Sequence, residues 1–182
     1  LDWQKLKDQE GIRAFIEQQA LDALQDFLAH DLEREHGGVL AGRPYYDPTL
    51  QRYFVVIHAA IPAQETHGSS THLQLTPAAW NFISGILEQE HPGLVIVGWY
   101  HSHPGLGVFM SGTDRDTQRA FFHHPWSLAV VVDPLSHQAG WFSGPECQAL
   151  KRRQVFTCAT PTQALAAAVE YSREEAQFSQ RE

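Results

Sequence analysis

Between Leu94 and Gln118 the chain reads "LVIVGWYHSHPGLGVFMSGTDRDTQ". Leu94 to Tyr100 is apolar without alternation, the pattern of a strand buried on both faces and therefore central in its sheet. The segment turns polar at His101, and Pro104 and Gly105 end it. Side chains alternate across a strand, so His101 and His103 share one face while Ser102 points to the other. Two imidazoles on one face at the open end of a buried strand are the beginning of a zinc site.

The next polar group in the chain is Ser111-Gly112-Thr113-Asp114, at the start of a helix expected from about Asp114 to His123. Two readings compete for Asp114. As S-x-x-D it is a capping box that satisfies helix N–H groups, and a carboxylate there is favoured by the helix dipole in any case. As the third ligand beside His101 and His103 it completes a His-His-Asp set with one open position, the pattern of a catalytic zinc site. Asp116, His123 and His124 are the alternative third ligands. Two neutral imidazoles and one carboxylate leave a zinc site net positive, which brings the pKa of bound water toward about 7. Hydrolysis also needs a general base. No H-E-x-x-H is present, so the base comes from elsewhere, and "EREHGGVLAG" offers Glu33 and Glu35.

The remainder of the chain narrows the function class. It has 182 residues, enough for one domain with a sizeable core. The formal net charge is −8, which argues against a nucleic-acid binder. Two cysteines, Cys147 and Cys158, make neither a disulfide framework nor a four-cysteine metal site, and reduced thiols in a cytoplasmic protein are expected. No run is long and apolar enough to span a bilayer, and no signal-peptide pattern opens the sequence. The chain begins with Leu1, as a piece of a longer protein would.

Apolar residues at Ile12, Phe15, Ile16, Leu21, Leu24, Phe27, Leu28 and Leu32 predict a helix from about Asp8 to Glu35, stopped by Gly37 and Gly38. "GVLAGRPYY" and "QRYFVVIHAAI" predict a hairpin, and "LQL" at 73–75 a short strand. Thr76 as N-cap and Pro77 at the first helical position open a second helix. "WSLAVVVD", "HQAGWFSG" and "ECQALKRRQVFTC" predict further strands, and the Ala-rich tail over 161–182 a helix. This order gives an α/β sandwich around one mixed sheet, with the domain over 1–160.

These residues resemble the JAMM (MPN+) metalloproteases. The family motif is a glutamate, then H-[ST]-H-P, six residues, and S-x-x-D. Here that is Glu35, His101-Ser102-His103-Pro104, Gly105 to Met110, and Ser111 to Asp114. "GWYHSHPGLGVFMSGTDRDTQ" is similar above all to the deubiquitinating subunits of the proteasome lid and signalosome. "EHGGVLAG" and "LAVVVDP" match two further segments, so the resemblance covers about Glu33 to Phe142. It implies an MPN-type (cytidine-deaminase-like) mixed sheet between helices. It also implies one Zn²⁺ per chain on His101, His103 and Asp114, Glu35 as general base, and Ser111 as oxyanion donor. The implied activity is zinc-dependent isopeptidase or peptidase cleavage after the C-terminal Gly-Gly tail of ubiquitin or a ubiquitin-like β-grasp protein, either within a large complex, as in the lid and signalosome, or in a free-standing, prokaryotic-type enzyme. Release of a peptide or amino acid from a sulfur-carrier protein is the alternative, and a non-catalytic MPN scaffold is disfavoured because every ligand is present.

The substrate side is expected from Val108, Phe109 and Met110 beside the metal, and from the polar segment Gln64 to His72, which would pair with an extended tail by strand addition.

Overall fold

The computed structural model describes residues 11–48, 51–64 and 73–160. Its elements are β1 (Arg13–Glu17), α1 (Gln18–Leu28), β2 (Gly37–Asp47), β3 (Arg52–Pro62), α2 (Pro77–Glu90), β4 (Val95–Ser102), α3 (Gly112–Phe121), β5 (Leu128–Asp133), β6 (Gln138–Ser143), β7 (Gln148–Ala149) and β8 (Val155–Cys158). The strands form one eight-stranded sheet in the order β7-β6-β5-β4-β2-β3-β1-β8. It is mixed: β2 pairs antiparallel with β3 and β4, whereas β4 with β5, and β1 with β3 and β8, are parallel.

β4 is central, as its unalternating apolar run predicts. On one face Tyr100, Leu40, Ile57 and Val130 meet Ala20, Leu24 and Leu28 of α1. On the other, Val39, Trp99 and Val131 meet Ala79 and Ile83 of α2, together with Phe122 just after α3. The helices therefore sandwich the sheet, and the residues of β4 nearest its C-terminal end emerge between them. Thr76 accepts the Ala79 N–H at 3.1 Å, so α2 starts at the predicted cap.

The expectation of one helix from about 8 to 35 is corrected. Arg13–Glu17 is a strand with all five residues buried, and the helix spans only Gln18–Leu28. Ile12, Phe15 and Ile16 suit either period, and the partners that settle the matter, β3 and β8, are remote in sequence. Leu73–Leu75 is irregular rather than a strand. Gly37 and Gly38 do not stop a helix; they open β2. A side chain at Gly37 would collide with the Tyr100 carbonyl of β4, so the strand carrying the histidines needs a glycine opposite. The predicted tail helix over 161–182 lies outside the described residues. No helix among the described residues is long and apolar enough to cross a membrane, and both cysteines are free thiols.

Candidate metal centre and active site

β4 supplies two candidate ligands from the middle of the sheet. His101 sits between Gly37 of β2 and Val131 of β5. His103 lies just past the strand end, held by its N–H to the Val132 carbonyl at 2.8 Å. Both rings are buried and turn Nε2 toward the same oxygen: Asp114 Oδ2 lies 3.2 Å from His101 Nε2 and 3.1 Å from His103 Nε2. The three side chains bring one candidate ligand atom each within 4.8 Å of one another and could hold a metal ion.

The cap and a candidate ligand position, rivals in the sequence, meet in one carboxylate. Ser111 caps α3: its hydroxyl accepts the Asp114 N–H at 3.1 Å, and its own N–H donates to Asp114 Oδ2 at 2.9 Å. The cap therefore aims the carboxylate at the two imidazoles. Asp116, His123 and His124 are exposed and outside the group.

The titration behaviour follows from this geometry. Burial would raise the Asp114 carboxyl, but the two imidazoles that face it, His101 and His103, outweigh it and hold it well below the usual range. Burial pulls His101 below an ordinary histidine. For His103 burial acts the same way, but the contacts with Asp114 and Glu35 win and leave it raised.

Glu35 comes from the turn before β2 and is fully buried, with Oε1 3.5 Å from His103 Nε2. Neither of its oxygens has a hydrogen-bond partner, and the same is true of His101 Nε2. Burial raises its pKa to about 7. Unsatisfied buried polar atoms cost free energy, and a cation between them relieves that cost. The residues present thus fit a metal, and two nitrogens with one carboxylate oxygen suit zinc. Glu33, the rival base, is exposed in the turn, its N–H bonded to Asp31.

The loop after His103 is built around Asp133 at the end of β5. Gly105 and Gly107 have φ of +73° and +86°, where glycine is favoured, and both N–H groups donate to the Asp133 carboxylate, at 3.0 and 3.1 Å. The three residues expected to meet substrate separate here. Phe109 is exposed, with its ring centre 4.8 Å from that of His103. Val108 is half-buried beside Gly140 of β6. Met110 is only 6% exposed and packs in the core cluster with Ala79 and Ile83 of α2, where the chain turns inward to begin α3. Most of the Gln64 to His72 segment, residues 65–72, lies outside the described residues.

Supporting residues were missed in the sequence. The Trp99 indole stacks on the His101 ring at 4.3 Å and 13°. Its Nε1 donates to Gln118 Oε1 at 2.6 Å, and Gln118 Nε2 donates to the carbonyls of Ser127 and Gly144. Gln118 is four residues after Asp114, hence on the same face of α3; that spacing was the available signal.

Residues 17–155 match the family described as prokaryotic homologs of the JAB domain. The chain is 43% identical over 75 residues to COP9 signalosome complex subunit 5 of Eremothecium gossypii, a match covering 40% of this chain and 18% of that protein. It is 43% identical over 56 residues to the ubiquitin carboxyl-terminal hydrolase RPN11 of Saccharomyces cerevisiae, covering 30% and 18%. The chain thus spans less than a fifth of the length of either. The fold is similar to the solution structure of protein DSY2949 from Desulfitobacterium hafniense, with TM-score 0.55 and 16% identity, covering 80% of this chain and 92% of that one.

Proposed function

We propose, from the premise that this chain belongs to the family of prokaryotic homologs of the JAB domain, that it is a zinc-dependent isopeptidase or peptidase. Its substrate is the C-terminal Gly-Gly tail of ubiquitin or a ubiquitin-like β-grasp protein, and one Zn²⁺ per chain is held by His101, His103 and Asp114. The observation that carries the reading is the convergence of the buried Glu35 carboxylate, otherwise unbonded, on that His-His-Asp group.

Zinc bound there supplies Lewis-acid polarisation of a carbonyl and lowers the pKa of water. The chain's own residues do the rest. Glu35, raised to about 7 by burial, takes a proton at its carboxylate and returns it to the leaving amine. Ser111 uses its hydroxyl oxygen as acceptor in the cap, which leaves the O–H to donate to the developing oxyanion. Phe109 offers an apolar wall beside the ligand His103, against which a tail without side chains lies flat. A cytoplasmic site of action accords with the free thiols.

The test is cleavage of a ubiquitin-like fusion ending in Gly-Gly, beside the same fusion ending in Val-Val. Cleavage of the first alone, abolished by Glu35→Gln but not by Glu33→Gln, is expected. Equal rates on both fusions would point to a general zinc peptidase instead.

A further inference from the structure

We propose that Ser102, the residue between the two histidines, is a positioning residue that sets the place of Glu35. The inference rests on the role of Glu35 given above and deepens it.

Strand alternation sends Ser102 to the face opposite His101 and His103, so it cannot meet a metal on their side. It is nevertheless fully buried and bonded at each polar position. Its hydroxyl accepts the His36 backbone N–H at 3.0 Å, and its own backbone N–H donates to the His36 carbonyl at 2.9 Å. The same hydroxyl lies 3.4 Å from that carbonyl and can donate to it. His36 is thereby gripped at both backbone polar groups by one residue sixty-six positions away.

His36 directly follows Glu35, whose carboxylate oxygens have no hydrogen-bond partner. Besides the Leu73 backbone N–H and the His103 ring, no favourable partner at its own side chain fixes the base. Its place is set by the backbone on either side of it. On one side Ser102 holds His36. The regular pairing of β2 with β4 reaches only to Gly37 opposite His101, one residue further along. The side chain of His36 adds a second tether, 3.0 Å from Asp31 on the loop after α1. One residue on β4 thus links the strand that carries the histidines to the turn that carries the base. The distance of the base from the metal ligands, 3.5 Å at His103 Nε2, is kept across two separate segments of chain.

The experiment compares the zinc-loaded wild type with Ser102→Ala, Ser102→Thr and Glu35→Gln. Three quantities are read: zinc stoichiometry, steady-state cleavage of the Gly-Gly fusion, and backbone amide exchange at His36. Ser102→Ala should keep one zinc, because all three ligands remain. It should lose about tenfold protection at the His36 amide, the scale of one hydrogen bond, and lose kcat with KM unchanged. Ser102→Thr, which keeps a hydroxyl on the same carbon, should recover both. Wild-type kcat in Ser102→Ala, with Glu35→Gln inactive, overturns the positioning role and leaves the base intact. Activity in Glu35→Gln overturns the reading beneath it. Loss of zinc in Ser102→Ala assigns the residue to the metal site and overturns the proposal. Should Ser102→Ala fail to fold, the amide exchange and kcat of Ser102→Thr decide: an unprotected His36 amide with wild-type kcat overturns it.

Discussion

Replacing Ser111 by alanine separates a structural role from a chemical one, because the cap geometry limits how much stability can be lost. The hydroxyl accepts one N–H, from Asp114 at 3.1 Å. Loss of such a cap costs about 0.5–2 kcal/mol. For a domain of this size each kcal/mol lowers Tm by about 2–4 °C. Against a total stability of about 5–15 kcal/mol, that leaves the protein folded at assay temperature. The other half of the cap is a backbone bond, Ser111 N–H to Asp114 Oδ2 at 2.9 Å, which alanine preserves. Asp114 therefore stays aimed at the two histidines, and zinc affinity should hardly move.

The rate behaves differently if the hydroxyl donates to an oxyanion. Removing one such donor costs about 10²–10³ in kcat. Ser111→Ala should therefore be folded, zinc-loaded and slower by that factor on the Gly-Gly fusion. Ser111→Gly sharpens the comparison, since glycine at an N-cap costs only about a few tenths of a kcal/mol relative to serine and has no side-chain donor. It should recover the melting temperature and not the rate. The assay is kcat beside Tm and zinc content for both variants. Near-wild-type turnover in Ser111→Gly, or a rate loss in Ser111→Ala that merely follows zinc content, would refute the oxyanion role and leave the cap as the residue's whole work.

Three further outcomes follow from the same geometry. Chelation should lower the wild-type Tm, because a metal bound only by the folded state stabilises it, whereas Asp114→Ala, stripped of a ligand, should melt at the same temperature with and without chelator. Asp133, held down to about 2 from 3.8 by backbone N–H groups that outweigh its burial, has a depressed folded pKa. Its contribution is thus fully present above about 3.8 and lost as pH falls through about 2, so the Tm gap between wild type and Asp133→Asn should be constant near neutral pH and close in acid. Gln118→Leu leaves the Trp99 indole and two carbonyls without their partner, and titration calorimetry should show weaker zinc binding as the stacked His101 ring loosens.

The parts of the fold legible in the sequence are those whose signal is local. The strand at Val95–Ser102, the hairpin of β2 and β3, and the start of α2 at Thr76 all announce themselves by period, turn or cap within a few residues. β1 does not, because its identity depends on β3 and β8, and a buried segment of five residues carries no period of its own. The loop shows the same limit. "VFM" is apolar throughout, and only the inward turn before α3 separates Phe109 at 46% exposure from Met110 at 6%.

At the metal centre the sequence posed cap against ligand as alternatives for Asp114, and the structure removes the opposition. A capping box fixes a carboxylate by its own helix start, and a ligand must be fixed before the metal arrives if binding is not to pay for ordering it. The oxygen that takes the Ser111 N–H is the one that faces His101 and His103. Local helix chemistry thus pre-orients the candidate third ligand, and the S-x-x-D spacing that satisfies the helix is the spacing that brings its carboxylate to the two imidazoles. Glu35 is the converse case: no capping motif surrounds it, and the contact beside it, from His36 to Ser102, spans sixty-six residues. Sequence proximity made Asp114 recognisable twice over, whereas Glu35 was singled out from Glu33 only by the family resemblance, and burial shows that it is the one facing the histidines.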